Sequence, residues 1–251
     1  LLATIEAVRA IREAARLLGK KPDPRWEHLL PKLERGLHAN RFHGVIRANR
    51  TPKAPPRVDA AYLGLFNCLT DERTLTAEIE HATGPEGFMR WPDHGYRAIP
   101  WSHLNVSAAL SRLGRPGAAE MLEVAARFTT TLHGLPEAVR PDGGYYETWY
   151  PTVHGAFEHS LNLVLARPRG ALEELFAGLP LEWGDASFRS LRVPKGLLIS
   201  ASRTGENIDA EVTNDSDHRQ SIRVHACGSK ARKEAAPLEP GKKMTLFSHE
   251  G

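Results

Sequence analysis

The spacing of apolar residues predicts helices over the first two thirds of the chain. In residues 2–18 they recur every three or four positions, and Gly19 follows directly, which is typical of an amphipathic helix with a glycine cap. Asp23-Pro24 predicts the start of a second helix that runs to about Leu37 and that Pro31 should kink or split. The pattern predicts further helices at residues 60–69, 70–81, 101–113, 116–132 and 154–165, which makes seven in all.

Two long segments rich in glycine, proline and aromatic residues interrupt the helical pattern. The first covers residues 83–100, and the second covers about residues 133–153. Loops of this length are usually functional or disordered, and the aromatic content argues against disorder. Because short turns join the other helices in pairs, we expect the long loops at one end of an antiparallel helical array, where a functional site belongs.

After Pro168 the pattern changes from helical to β. Short β-rich runs separated by turn signals predict a small antiparallel sheet or sandwich. In one of them, Ile222, Val224 and Ala226 alternate with polar residues, as in a strand with one solvent-exposed face. We predict an α-helical domain over residues 1–168 and a β-rich domain over residues 169–251. The predicted strands are residues 188–193, 197–202, 208–212, 222–227 and 244–247.

Composition and charge limit the classes of function. The chain has 251 residues, of which 41% are hydrophobic and 25% charged, which is enough for a real core. Its charge of +3 is spread along the chain and gives no basic stripe for nucleic acid, and no apolar run approaches the roughly 18 residues of a membrane span. Cys68 and Cys227 match no disulfide or metal framework, so we expect two buried thiols. We predict no cofactor.

The residues around the last predicted helix carry a family resemblance. They read Val153-His154-Gly155-Ala156-Phe157-Glu158, followed by Leu175, Leu179-Pro180, Trp183 and the run Ser190-Leu191-Arg192-Val193-Pro194-Lys195-Gly196. With the paired helices and aromatic loops, this order resembles the end of the six-hairpin, or (α/α)6-barrel, glycoside hydrolases, and most closely family 95, the α-L-fucosidase group. Gly155 and Phe157 hold the family pattern, whereas His154 stands where the family has an aspartate of the catalytic base machinery and Ala156 where it has asparagine.

The resemblance implies a fold and a partner. It covers about residues 95–205 and implies that the chain is mainly α with a C-terminal β module, namely the second half of an (α/α)6 barrel followed by a small antiparallel β-sandwich. An incomplete barrel exposes the apolar faces of its terminal helices, so we expect association with a missing N-terminal half or with another chain.

Two glutamates in the second long loop are the candidate catalytic residues, Glu137 and Glu147. Related barrels carry the catalytic base on the loop before the last helix, which points to Glu137, while their general acid would lie upstream of this chain. Glycoside hydrolysis needs one carboxyl group to protonate the leaving oxygen and one to activate water or attack carbon. The simpler alternatives are a capping or solvated role for Glu137 and a hydrogen bond to a sugar hydroxyl for Glu147. Asp142 is predicted to be a turn residue.

Aromatic and polar residues of both loops are candidates for binding the sugar. Aromatic rings stack on the CH-rich faces of sugars, and Trp and Tyr keep a polar atom for hydroxyls, although each alone is more often a packing residue. The histidines lack the close ligand spacing of a zinc site. The candidate substrate-binding residues are Trp91, Asp93, His94, Arg97, Trp101, His103, Trp149, Tyr150, His154 and Glu158.

The sequence therefore predicts a glycoside hydrolase that acts on an oligosaccharide or glycoside and inverts the configuration of the anomeric carbon. A carbohydrate-binding domain without hydrolysis is an alternative, and the departure at His154 favours it. A phosphorylase would need a basic pocket for phosphate. A polysaccharide lyase would need a Tyr or His base and an Arg to neutralise a uronate, for which Arg97, Tyr145 and His154 are the candidates.

Overall fold

The structure is a computed structural model. It describes residues 2–39, 41–42, 45–46, 72–90, 95–169, 172–226, 232–234 and 237–248. Six helices are found among these residues. The predicted helices within these ranges are confirmed, although one ends at Ala126 and not near Leu132, and the last begins at Pro151 and not at His154. The predicted helix at residues 60–69 and both cysteines lie outside the described ranges. The helices are α1 (Leu2–Leu17), α2 (Pro24–Ala39), α3 (Glu72–Ala82), α4 (Pro100–Leu113), α5 (Ala118–Ala126) and α6 (Pro151–Leu165).

Helices α1 and α2 form a helical hairpin, as their patterns predict. Their apolar stripes bury Ile5 on α1 and Leu30 on α2, among others. A salt bridge of 2.8 Å joins Arg9 to Glu34 across the pair. Pro31 lies inside α2 without splitting it.

Twelve strands are described, and they form two hairpins and two four-stranded sheets. One sheet has the order β12-β9-β8-β7 and is antiparallel throughout, and the other has the order β11-β10-β6-β5, in which β6 and β10 are parallel. The five predicted strands correspond to β7, β8, β9, β10 and β12. The strands are β1 (Arg41–Phe42), β2 (Val45–Ile46), β3 (Ala138–Val139), β4 (Tyr145–Tyr146), β5 (Ala166–Arg169), β6 (Leu172–Leu175), β7 (Ala186–Val193), β8 (Leu197–Thr204), β9 (Asn207–Asn214), β10 (Arg223–Ala226), β11 (Arg232–Glu234) and β12 (Lys243–Phe247).

The predicted fold class is wrong. In half of an (α/α)6 barrel every helix packs against its neighbours, but in the described part of the chain α1 and α2 form the one helix pair with extensive contact. Strands also occur where the barrel would have only loops and helices, because residues 138–146 pair as a hairpin and residues 166–169 and 172–175 join a sheet. The C-terminal part is not a purely antiparallel sandwich either, since β10 runs parallel to β6. The chain is an α+β arrangement.

The chain divides into two compact units, Leu1–Ala109 with Val124–Ala156, and Leu110–Glu123 with Phe157–Gly251. The first contains a small buried cluster of Ala98, Phe128 and Val139. The second has an apolar core that includes residues of both four-stranded sheets. The predicted domain boundary at residue 168 stays a prediction. No helix among the described residues combines the length and apolarity that a membrane crossing requires.

Candidate functional site

The second long loop folds into the hairpin of β3 and β4, which places Glu137 and Glu147 opposite each other. Ala138 pairs with Tyr146 in antiparallel register, and the next backbone pair joins the Glu137 N–H to the Glu147 carbonyl oxygen at 3.2 Å. Both glutamates lie one position beyond the paired residues, and Glu147 has a φ of 48°, outside the extended region. The hairpin therefore brings the two glutamates together at its open end.

A tight turn closes the hairpin at the end away from these glutamates. The Gly144 N–H donates to Asp142 Oδ1 at 2.9 Å, and the Arg140 N–H donates to the Gly144 carbonyl oxygen at 2.8 Å. Gly143 has a φ of 84°, which an L side chain rarely adopts. The prediction that Asp142 is a turn residue is confirmed.

Strand β3 is buried and hydrogen-bonded to the segment that leads into α4. The Val139 N–H donates to the Ala98 carbonyl oxygen at 2.8 Å, and the Arg97 N–H donates to the Val139 carbonyl oxygen at 2.9 Å. Val139 and Ala98 pack with Phe128 in the buried cluster of this unit. Strand β3 is thus paired with β4 on one side and with the segment before α4 on the other. The fold of the unit therefore sets the position of the two glutamates.

Glu137 and Glu147 form a pair of like charges. Neither side chain has a salt-bridge or hydrogen-bond partner within the described ranges. Partial burial, and after it the charge of Glu147, raise the pKa of Glu137. A neighbouring like charge disfavours ionisation of a carboxyl group, and titratable groups with shifted pKa values concentrate at functional sites. The pair is therefore the strongest chemical feature of the hairpin.

Two exposed aromatic side chains lie on strand β4 and shortly after it. Trp149 is 62% exposed and Tyr146 is 43% exposed. The Trp149 ring lies 5.4 Å from the ring of His154, and the Tyr146 ring lies 6.2 Å from that of Tyr96. Exposed rings on a surface with hydrogen-bonding groups fit the faces of sugar rings.

Contacts of Leu135 and Gly134 hold the segment that leads to Glu137, and sequence reasoning missed them. The Leu135 N–H donates to His154 Nε2 at 2.9 Å, and the Leu135 carbonyl oxygen accepts from the Tyr150 N–H at 3.0 Å. A Cβ atom at Gly134 would lie 2.7 Å from the carbonyl oxygen of Thr148, so only glycine fits there. In the sequence, Gly134 was the one residue that could have indicated this close packing.

Two of the predicted binding residues belong to α4 and pack inside the unit. His103 is fully buried, and its Nε2 accepts a hydrogen bond from the Met89 N–H at 3.0 Å. Burial lowers the pKa of His103 to about 4, so the ring is uncharged at neutral pH. Trp101 is half-buried and meets the Tyr150 ring edge to face at 6.1 Å. His103 does not reach the surface of the hairpin.

The other candidates are spread more widely. Arg97 forms a salt bridge of 2.6 Å with Glu86, which raises the pKa of Arg97. Glu158 is exposed on α6 and belongs to the second unit. Trp91, Asp93 and His94 lie outside the described residues. In the part of the chain that the structure describes, no three His, Cys, Asp or Glu residues are grouped to hold a metal ion. The predicted residues that come together are Glu137, Glu147, Trp149, Tyr150 and His154.

Comparison with known proteins gives no match, either to a family model or to a curated protein sequence. The resemblance to glycoside hydrolases of family 95 therefore stays a prediction.

Proposed function

We propose that the chain is part of a glycoside hydrolase in which Glu137 and Glu147 are the reacting carboxyl groups. The observation that carries this proposal is the opposed pair of carboxylates beside an exposed tryptophan. Hydrolysis of a glycosidic bond passes through a transition state with positive charge on the sugar ring, and it uses two carboxyl groups, one to give a proton and one as base or nucleophile.

The environments of the two glutamates suggest different roles. Burial and the neighbouring charge raise the pKa of Glu137, which suits the group that keeps its proton and donates it to the leaving oxygen. Glu147 is exposed, which suits a charged carboxylate that activates water. This assignment reverses the role expected from the sequence, in which Glu137 was the base.

Trp149 supplies the binding surface in this proposal. Its exposed ring would stack on one face of a sugar, while nearby carboxylates accept hydrogen bonds from hydroxyl groups. Because the hairpin carries two acidic groups at its open end, the substrate is expected to be a neutral glycan and not a uronate.

Replacement of either glutamate by glutamine is expected to lower kcat/KM at least about a hundredfold, since a proton donor or base is lost while the shape is kept. The measurement is hydrolysis of a panel of aryl glycosides and oligosaccharides by the wild type, Glu137→Gln and Glu147→Gln. Glu120→Gln, at an exposed position on α5, is the matched control and should keep full activity.

Two results would decide against this assignment. If both glutamine variants keep wild-type activity while circular dichroism shows them folded, the reacting groups lie elsewhere. NMR of the first anomer released tests the inversion that the sequence predicts, because retention would require Glu147 to act as nucleophile.

A carbohydrate-binding role without hydrolysis is the second candidate. Two observations favour it. Trp149 is exposed and can stack on a sugar ring. His154 stands where the resembling family has an aspartate of the catalytic base machinery, and it accepts a hydrogen bond from the Leu135 N–H. No turnover of any substrate, with glycan binding that Trp149→Ala abolishes, would support this role over hydrolysis.

A further inference from the structure

The outer face of the sheet of β7, β8, β9 and β12 forms a cavity of about 450 Å³ that is lined by polar residues. The opposite face of this sheet packs into the apolar core of the second unit, for example through Ile199 and Val212. Because side chains alternate along a strand, the positions next to these core residues face the cavity. Six of the residues that line it carry a hydroxyl or carboxylate group: Ser187, Ser200, Ser202, Asp209, Glu211 and Thr245.

The register of the strands arranges these six groups in two rows across the sheet. The first row consists of Ser187, Ser202 and Asp209. The second row consists of Ser200, Glu211 and Thr245. Neighbouring strands lie about 4.8 Å apart, and successive positions on one face of a strand lie about 6.7 Å apart. The six groups therefore form a grid on which one ligand with several polar groups can make several hydrogen bonds.

Both edge strands of the sheet carry a β-bulge at the level of the second row. In β7 the register shifts between the two positions that pair with the neighbours of Ser200, and in β12 it shifts directly after Thr245, which lies opposite Glu211. Ser190, inside the first bulge, has a φ of 53°, and its N–H donates to Ser200 Oγ at 3.0 Å. A bulge bends its strand, and bulges are over-represented beside functional sites. The bulges thus distinguish this row from a regular sheet surface.

The charges of the cavity indicate a neutral ligand. Glu211 forms a salt bridge of 2.5 Å with Lys243. Arg189 lines the cavity from β7 and supplies a second positive charge, so the two basic side chains match the charges of Glu211 and Asp209. A charged ligand would meet a group of its own sign, which disfavours it.

The hydrogen-bonding groups of the cavity indicate a ligand with many hydroxyl groups. Serine and threonine hydroxyls donate and accept, carboxylates accept only, and bonds to a charged acceptor are the stronger kind. A saccharide presents donors and acceptors at short intervals around each ring. It can therefore use the hydroxyl groups and the carboxylates of both rows at once.

We propose that this face of the sheet is a second carbohydrate-binding site, which holds a neutral oligosaccharide through the carboxylates of Asp209 and Glu211 and the hydroxyl groups of the central strand β8. A cavity of about 450 Å³ lies within the usual range of small-molecule sites. The site uses no residue of the hairpin of β3 and β4, so it goes beyond the function proposed above and does not depend on it.

NMR of the isotope-labelled full chain locates the bound sugar. We expect at least one of cellotriose, maltotriose, xylotriose and mannotriose, at millimolar concentration, to shift the backbone amide signals of residues 200–202 and 209–211. Asp209→Ala should weaken this binding at least about tenfold, because a bond to a charged acceptor is lost, and Ser202→Val should weaken it about fivefold. Glu206→Ala removes an exposed carboxylate from the turn between β8 and β9 and is the matched control, which should bind as the wild type.

Three results would overturn the proposal. The first is that none of the four sugars shifts these amide signals in the folded wild type. The second is that trigalacturonate, an anionic sugar, shifts them at a lower concentration than every neutral one. The third is binding that Trp149→Ala abolishes and Asp209→Ala leaves unchanged, which would place the sugar at the hairpin. Sugar bound to the sheet without any hydrolysis would support this site and overturn the hydrolase alone.

Discussion

Replacement of Glu174 by alanine is expected to lower the free energy of unfolding by about 3–5 kcal/mol, the cost of leaving a buried charge without its partner. Arg167 Nε donates to Glu174 Oε2 at 2.6 Å, and both side chains are almost fully buried. A second nitrogen of the guanidinium donates to the Ser111 carbonyl oxygen at 2.9 Å. Because arginine stays protonated in proteins, the variant would bury its charge unpaired. Urea unfolding at pH 7, followed by circular dichroism, measures the loss.

Two further variants test the cause of that loss. The double variant Arg167→Met with Glu174→Leu removes both charges and should recover most of the stability, since apolar replacement of a whole buried pair is often neutral. Arg192→Met is the matched control in the same unit, because the 2.6 Å salt bridge between Arg192 and Asp215 is exposed and should contribute less than about 1 kcal/mol. A cost for Glu174→Ala no larger than that of Arg192→Met would contradict the prediction.

The elements that the sequence predicts well are those whose pattern is local. Residues 197–204 alternate between buried and half-buried or exposed positions along β8, and this period of two is visible in the sequence. Helix α1 likewise repeats its apolar residues at helical spacing. In both cases the residues that decide the structure are neighbours along the chain.

Buried charges made the rest of the fold hard to predict. Leu172-Glu173-Glu174-Leu175 has two adjacent glutamates, a pattern typical of a solvated surface, yet both are buried in β6. Glu174 lies opposite Arg167 on β5 and His225 on β10. Burial of Glu174 depends on a strand about fifty residues further along, so no window of sequence could reveal it.

In the candidate site, too, the features with a local sequence signal were predicted and those that depend on distant residues were missed. Glu137 and Glu147 were found from their loop, and Asp142-Gly143 between them is a hairpin signal that could have placed them opposite each other. The bond from Leu135 to His154 spans nineteen residues and left no such signal. His103 was a candidate for binding because it lies at the start of the helix that follows the first long loop. Its simpler interpretation was a loop or core histidine, and the structure supports the core position because α4 is buried on nearly every side.

Glu173 is expected to make the protein less stable as the pH rises. It is buried in β6, and its Oε2 has no hydrogen-bond partner. Burial raises the pKa of Glu173 to about 7, although the charge of Lys195 acts in the opposite direction. The folded state therefore keeps the proton up to about pH 7, whereas the unfolded state loses it near the ordinary glutamate pKa of 4.5. Because the folded state binds more protons between these values, the free energy of unfolding falls over this range by about 3 kcal/mol and stays low above it.

Glu173→Gln removes the titration while keeping the shape of the side chain. Urea unfolding of the wild type and of Glu173→Gln from pH 5 to pH 8 should give curves that diverge as the pH rises, with the variant more stable by about 3 kcal/mol at pH 8. Glu182→Gln, at an exposed position in the same unit, should follow the wild type at every pH. If wild type and Glu173→Gln instead run parallel across the range, the carboxyl group is not held protonated by burial. Lys195→Met separates the two causes, because loss of that positive charge should steepen the fall in the wild-type background and leave Glu173→Gln unchanged.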